Sequence, residues 1–351
     1  MVDLSTNSAN RLETTLRLSR YAKRLIEAEP LLAQELQAQL ATPYSLEAMQ
    51  DFLQAQNLSD PNHLLAGLRN LRKRVMLRLI TRDLNGLADV HEVIRTATDL
   101  AEITLNSALD NAHHQLKQEY GAALDAQGNE QSLLIVGMGK LGGEELNVSS
   151  DIDLVFVYEE DGMTGGARSI DNHQYFTLIG KQVIRALHEI TSDGFVFRVD
   201  MRLRPYGDSG SLVSSFDTLE EYFFSQARPW ERYAWLKGRV VCGDKTQAHA
   251  LDKIIQPFVY RRYLDYGAIA DLRDVHAQIR RAAAQKDAAN NIKIGPGGIR
   301  EIEFIAQVFQ LIRGGREKDL QLRPTIATLK TLAKRQILPS GEISQLIDSY
   351  G

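Results

Sequence analysis

The chain has 351 residues, 44% of them apolar and 25% charged, with a formal net charge of -4. That length exceeds one ordinary core and points to two or three folded units, and the acidic balance excludes a general basic field for nucleic acid, so a phosphate-bearing partner must be held by a local site. A single cysteine, Cys242, allows no disulfide within the chain, no apolar run reaches membrane-spanning length, and the N-terminal MVDLSTNSAN lacks a signal-peptide layout, which together suit a reducing cytoplasm.

In chain order, residues 11–118 read as helical. Leu84, Leu87, Val90, Val93, Ile94, Ala97, Leu100 and Ala101 form one apolar stripe at three- and four-residue spacing, with Asp83 or Asp89 as its cap. The stretch 68–80 has the same period with Arg69, Arg72, Lys73, Arg74 and Arg78 interleaved. Such a run is read as a solvated helix face in preference to a binding face. Thr42-Pro43 and Asp60-Pro61-Asn62 break the helices, and Gln127-Gly128-Asn129 is a turn where the pattern changes.

Residues 133–136 and 153–158 then read as buried strands, and 174–190 as an amphipathic helix. Alternation predicts a third strand over 195–203, with Phe195, Phe197, Val199, Met201 and Leu203 on one face and Val196, Arg198, Asp200, Arg202 and Arg204 on the other. A further short strand is expected at 239–242. From about 246 the text is helical again, broken by Gly295-Pro296-Gly297-Gly298, which opens a helix at Ile299. Helical periodicity still runs through 342–350, which reads as a fragment of a longer protein. The organisation expected is a helical region at 1–120, a core at 121–245 and a second helical region at 246–351.

The stretch GMGKLGGEELNVSSDIDLVFVYEE, residues 137–160, carries two competing signals. Gly137, Gly139 and Gly142 match the G-x-G-x-x-G of a dinucleotide-binding turn, but only about two turns of helix fit before the next strand. The second signal is Asp151 and Asp153. On a strand they point to one face, about 7 Å apart, and repel unless a cation lies between them. Asp200 adds a third carboxylate on another strand. Three such oxygens suit Mg²⁺ or Mn²⁺, a pair of which can clamp the attacking and leaving oxygens of a phosphoryl centre. Nearby arginines suit the developing negative charge, and bare glycine amides can approach a phosphate.

A glycine-rich turn, D-x-D on a strand and a later aspartate resemble the nucleotidyltransferase superfamily related to DNA polymerase beta. More closely, residues 137–158, FVFRVDMRLRPYGDSGSLVSS, WERYAWLKGRVVCGD and GPGGIREIEFIAQVFQLIRGG look like the glutamine synthetase adenylyltransferase family, over about 133–325. The resemblance implies a mainly helical α+β fold: a polymerase-beta-like core with a small mixed sheet, flanked by helical regions. Members carry two such halves, one removing AMP from glutamine synthetase and one adding it. Leu146-Asn147, Ser149-Ser150-Asp151-Ile152-Asp153 and Trp230-Glu231-Arg232-Tyr233-Ala234-Trp235 resemble the deadenylylating half.

That resemblance implies phosphorolysis: inorganic phosphate attacks the adenylyl-tyrosine of glutamine synthetase, giving ADP and free tyrosine. The opposite direction, from ATP to tyrosine, is the alternative. Asp151, Asp153 and Asp200 are assigned as catalytic metal ligands for two Mg²⁺ or Mn²⁺ ions. Gly142, Gly143 and Ser149 or Ser150 are assigned to phosphate or nucleotide oxygens, although Ser150 equally suits a strand-edge hydrogen bond. Lys140 contacts phosphate or is solvated, and Arg202 and Arg204 contact phosphate or order the aspartates. Arg300, Glu301 and Glu303 after the 295–298 loop make either a second site or, preferably, a packed helix behind a tight turn. The PII signal protein is the regulator the family implies, with no nucleic acid or membrane as partner. The rivals are an NAD-type Rossmann oxidoreductase, a non-catalytic sensor of PII or glutamine, and a nucleotidyltransferase acting on RNA.

Overall fold

A computed structural model describes residues 4–350 except 57, 59, 263–272, 275, 276, 278–290, 294 and 296. The chain opens with helices α1 (Leu4–Leu18), α2 (Arg20–Ala28), α3 (Leu31–Gln39), α4 (Leu46–Gln54), α5 (Pro61–Leu84) and α6 (Val90–Tyr120). Then follow β1 (Leu134–Gly137), the one-turn α7 (Gly139–Gly142), β2 (Ile152–Tyr158), α8 (Asn172–His188), β3 (Val199–Asp200) and β4 (Val213–Ser215). Helices α9 (Phe216–Ser225) and α10 (Pro229–Trp235), strand β5 (Arg239–Cys242) and α11 (Lys245–Val259) come next, and α12 (Ile299–Arg313), α13 (Thr325–Lys334) and α14 (Ser340–Tyr350) close the described chain. The protein is thus mainly helical α+β with a small mixed sheet of five strands. No described helix is long and apolar enough to cross a membrane.

Contacts divide the chain into two units. The first comprises residues 1–133, 144–153 and 161–200, the second 134–143, 154–160 and 201–351.

In the first unit, side-chain caps set the helix starts. Asp60 accepts from the amides of Asn62 and His63 with Pro61 at the first helical position, and so begins α5. Asp89 accepts from the Glu92 amide at 2.8 Å and begins α6. The single stripe expected over 84–101 is therefore two helices: Leu84 ends α5, and Leu87 lies in the link between them. Asp171 caps α8 in the same way, through Gln174 N–H at 2.7 Å. Leu12, Leu25, Leu32, Leu36, Leu40 and Leu77 join in one apolar cluster of this unit.

The basic run on α5 is not a solvated face, and this corrects the sequence reading. Arg69 is 1% exposed, and Lys73 and Arg78 are buried. Arg69 donates to the carbonyls of Leu65, Ala186, Glu189 and Gly194, so its charge caps the C-terminal end of α8. Lys73 bonds Glu29 at 2.5 Å and Asp193 at 2.6 Å. Arg74 meets Glu35 at 3.1 Å, Arg78 donates to Gln39, and Arg82 meets Glu92 at 2.6 Å. Most of these acceptors lie far along the chain, and each buried cation survives desolvation because it is hydrogen-bonded.

The second unit is built on the sheet. β1 pairs antiparallel with β2, from Leu134↔Val157 to Gly137↔Leu154, and antiparallel with β5, with an irregularity between Ile135 and Val136. β4 lies parallel to the end of β2, from Phe156↔Val213 to Tyr158↔Ser215. All four residues of β1 are buried, which explains its unbroken apolar text. Leu134, Val136, Val155 and Val157 pack with Phe216, Leu219, Trp235 and Leu251. Full burial of such a side chain contributes about 1.5–3 kcal/mol. Cys242 is a buried thiol on β5, outside any disulfide.

Two further expectations change. A dinucleotide unit needs two parallel strands joined by a full helix. Here the flanking strands are antiparallel and the helix between them is the single turn Gly139–Gly142. The Rossmann rival is thereby overturned. The strand expected at 195–203 shortens to Val199–Asp200. Neighbouring Val196 and Phe197 are both buried, which a pleated strand does not allow on one face. Their amides donate to Leu187 O at 2.9 and 3.1 Å, at the end of α8, instead of to a neighbouring strand.

Candidate active site

The three aspartates belong to the first unit. The start of β2 lies parallel to β3 with Ile152 opposite Val199 and Asp153 opposite Asp200. Register partners on parallel strands project to the same face, about 4.8 Å apart. Ile152 is fully buried on the other face, while Asp153 and Asp200 are half-buried. The short β3 is pinned at its start, because Val199 N–H donates to His188 Nδ1 at 3.0 Å and Ile152 N–H to Arg198 O at 2.9 Å.

Asp151 stands just before β2, exposed, with the same side-chain parity as Asp153. Arg198 Nε donates to its carboxylate while Arg198 Nη2 donates to Ser149 O at 3.0 Å. Both side chains are about half exposed (56% and 50%), so the pair orients more than it stabilises; exposed pairs contribute at most about 1 kcal/mol. Among the described residues no group of three His, Cys, Asp or Glu side chains is gathered as a metal-holding cluster. The donor chemistry nevertheless fits a hard divalent cation: two carboxylates are register partners, and the third lies one alternate position away, turned to Arg198.

Ser149 and Ser150 also lie in the first unit. Ser149 is exposed, and Ser150 Oγ donates to Asn147 Oδ1. Lys140, Gly142, Gly143, Arg202 and Arg204 belong to the second unit. Lys140 is half-buried in α7. The amides of Gly142 and Gly143 donate to Met138 O at 3.1 Å and Gly139 O at 3.0 Å, closing the single turn. Arg239 then caps that turn, with Nε 3.3 Å from Gly142 O and Nη2 3.1 Å from Leu141 O. Gly142 is needed for close approach: a Cβ there would lie 1.9 Å from Lys237 O. Arg202 is exposed in the turn after β3, and Arg204 donates to Met201 O at 2.8 Å.

After the 295–298 loop, Glu301 accepts from Gly297 N–H at 2.8 Å, and Glu303 accepts from Tyr350 Oη at 3.1 Å and stands 3.7 Å from buried Lys237. These bonds tie the start of α12 to Gly297, Tyr350 and Lys237. Ile294 and Pro296 lie outside the described residues.

Sequence reasoning missed a cavity of about 220 Å³ in the first unit, lined by Tyr21, Arg72, Val148, Phe195 and Arg198 among others. The Arg72 guanidinium carbon lies 5.6 Å from the Tyr21 ring centroid and 5.1 Å from that of Phe195. Its Nη1 donates to Tyr21 Oη at 3.2 Å, while its Nε is buried with no hydrogen-bond partner among the described residues. Tyr21, Arg72 and Phe195 come from distant parts of the chain, so no local spacing reveals them.

Fold and paired acids together define the class, a mainly helical α+β protein of nucleotidyltransferase-like fold. The family model described as glutamate-ammonia ligase adenylyltransferase matches residues 9–254, and one described as PII-uridylyltransferase matches 272–351. Similar proteins are bifunctional glutamine synthetase adenylyltransferase/adenylyl-removing enzymes. That of Aromatoleum aromaticum is 53% identical over 333 residues, covering 95% of this chain and 35% of the relative. Those of Chromobacterium violaceum and Nitrosomonas europaea are 52% and 50% identical, each alignment covering 99% of this chain and 38% of the relative. The chain belongs to the glutamate-ammonia ligase adenylyltransferase family. It spans little more than a third of the length of the curated relatives it matches (35–38%).

Proposed function

We propose that this chain removes AMP from an adenylylated tyrosine of glutamine synthetase by phosphorolysis, in the cytoplasm and under control of a PII-type protein. The observation that carries the reading is the Asp153–Asp200 register pair beside Asp151, in a chain of this family. The phosphorolytic direction rests on the likeness of residues 146–153 and 230–235 to the deadenylylating half. The match of 272–351 to a PII-uridylyltransferase model supports the regulatory part.

Asp151, Asp153 and Asp200 would hold Mg²⁺ or Mn²⁺, which when bound supplies charge neutralisation at the phosphoryl oxygens. The strand pairing sets the spacing of Asp153 and Asp200 before any ligand arrives, so little reorganisation is left for the reaction. Arg198 orients Asp151, and the exposed Ser149 beside it is available to a phosphate oxygen. A phosphate oxygen forms the new bond to phosphorus. The bond to the tyrosyl oxygen breaks, its electron pair stays on that oxygen, and a proton from water completes the phenol. With a leaving oxygen of pKa about 10, positioning and charge neutralisation carry most of the catalysis.

The test is to incubate the chain with adenylylated glutamine synthetase, phosphate and Mg²⁺, and with unmodified enzyme and ATP alongside. ADP release that requires both phosphate and metal is expected. Incorporation of AMP from ATP, with no phosphate-dependent ADP, would reverse the direction; activity in neither arm would sink the reading.

A further inference from the structure

Resting on that reading, we infer that the cavity between Tyr21, Arg72, Val148 and Phe195 receives the tyrosyl ring from which AMP is removed. The cavity joins the acidic site through named atoms. Arg198 lines it and holds Asp151, and Ser149 and Ser150 line it and immediately precede Asp151 in the chain.

Size and chemistry both suit a phenol. The volume is about 220 Å³, and a dry cavity of about 150 Å³ suffices to bind benzene. The walls supply aromatic and aliphatic surface from Tyr21, Phe195, Met76, Ile80 and Val148. The charged groups there are Arg72 and Arg198, which only donate hydrogen bonds. Among the described lining residues the side-chain acceptors are the hydroxyls of Tyr21, Ser149 and Ser150, and there is no Asn, Gln, Asp or Glu side chain to pair with an adenine edge. A phenolic oxygen, by contrast, accepts, and it gains negative charge as its bond to phosphorus breaks. The buried Arg72 Nε, which has no acceptor among the described residues, is a donor inside this wall. Such a group incurs a desolvation cost that a ligand oxygen, directly or through water, offsets.

The test has a binding arm and a kinetic arm. In the first, N-acetyl-3-fluorotyrosinamide is titrated into the chain without metal and followed by ¹⁹F NMR. Millimolar binding is expected. It should weaken at least about tenfold in Val148→Phe, which fills the cavity, and in Phe195→Ala, survive in Phe195→Tyr, and resist displacement by AMP. In the second arm, Val148→Phe should lower kcat/KM for adenylylated glutamine synthetase by about tenfold or more while the KM for phosphate stays at the parent value. Circular dichroism and the unchanged phosphate KM separate this from misfolding. Absence of probe binding by the parent chain, binding indifferent to Val148→Phe, or displacement by AMP overturns the assignment. A parent chain that binds the probe but releases no ADP leaves the cavity assigned to a phenol and removes the proposed reaction instead.

Discussion

Replacing Gly142 with alanine separates packing from ligand binding in the glycine turn. The added Cβ would lie 1.9 Å from Lys237 O and 2.3 Å from Gly137 O, both backbone atoms. Neither can swing aside as a side-chain end would. Relief requires α7 to move by more than 1 Å, which breaks the Arg239 contact to Gly142 O at 3.3 Å and loosens buried Leu141. Overpacking costs about 1–3 kcal/mol and a lost charged hydrogen bond about 1.5–3 kcal/mol, so about 3–5 kcal/mol is expected. Gly143→Ala is the control. Its Cβ would meet Lys237 Cδ and Nζ at 3.1 and 3.2 Å and the backbone Gly139 O at 3.3 Å, in a right-handed helical backbone with φ -77°. Lost unfolded-chain entropy offsets that crowding, which leaves a change within about 1 kcal/mol. Urea unfolding reads the difference directly. With a slope of about 2 kcal/mol/M, Gly142→Ala should lower the midpoint by about 2 M and Gly143→Ala by less than about 0.5 M. Equal midpoints for both variants, or a Gly142→Ala protein as stable as the parent, would refute the packing argument.

Other outcomes follow from the same structure. Asp200→Asn should cut phosphate-dependent ADP release at least about 100-fold, since a metal-linked carboxylate contributes several kcal/mol of charge stabilisation, with far-UV circular dichroism unchanged. Parent-level release would remove Asp200 from the site. Lys73→Met should destabilise the first unit by about 1–3 kcal/mol, because Glu29 and Asp193 lose their shared cation yet remain about a third exposed and partly rehydrate (37% and 35%). Adding Glu29→Gln should restore part of that loss in thermal melts, and no recovery would mean the pair is not the cause. Burial holds the His113 imidazole at about 4, below its usual 6.5, and His113 Nε2 accepts from Leu133 N–H at 3.3 Å. The unfolded chain therefore binds the proton more readily. The stability from neutral His113 is fully present above about pH 6.5 and falls as pH drops toward 4. The full shift corresponds to about 3 kcal/mol, which the ring's partial exposure trims to about 2 kcal/mol. His113→Gln should flatten that part of the pH-stability curve, and an unchanged slope would place the titration elsewhere.

What was legible in the sequence depended on how local its cause was. Asp89 marked a helix start because a cap acts over three residues. Asp151, Asp153 and Asp200 were visible as acids at strand parity, and the register of Asp153 with Asp200 needed only one short parallel pairing. The basic face of α5 was misread because its acceptors Glu29, Asp193 and Glu35 are remote in sequence, so the run looked solvated. The strand at 195–203 was overextended because its period-2 text coincides with a loop tied by Val196 and Phe197 to Leu187 O. The glycine fingerprint was a weak signal for a related reason. Gly142 is small because two backbones crowd it, and the sequence records only the smallness.

The five changes between units, after residues 133, 143, 153, 160 and 200, carry a practical meaning. No single cut of the polypeptide releases either unit intact, and the two parts of β2, one ending in Asp153 and the other beginning at Leu154, are joined by a single peptide bond. Shuffling by simple gene fusion at one boundary cannot trade one unit for another. A cut at the bond after Asp153 would leave Asp151 and Asp153 on one fragment and Asp200 on the other.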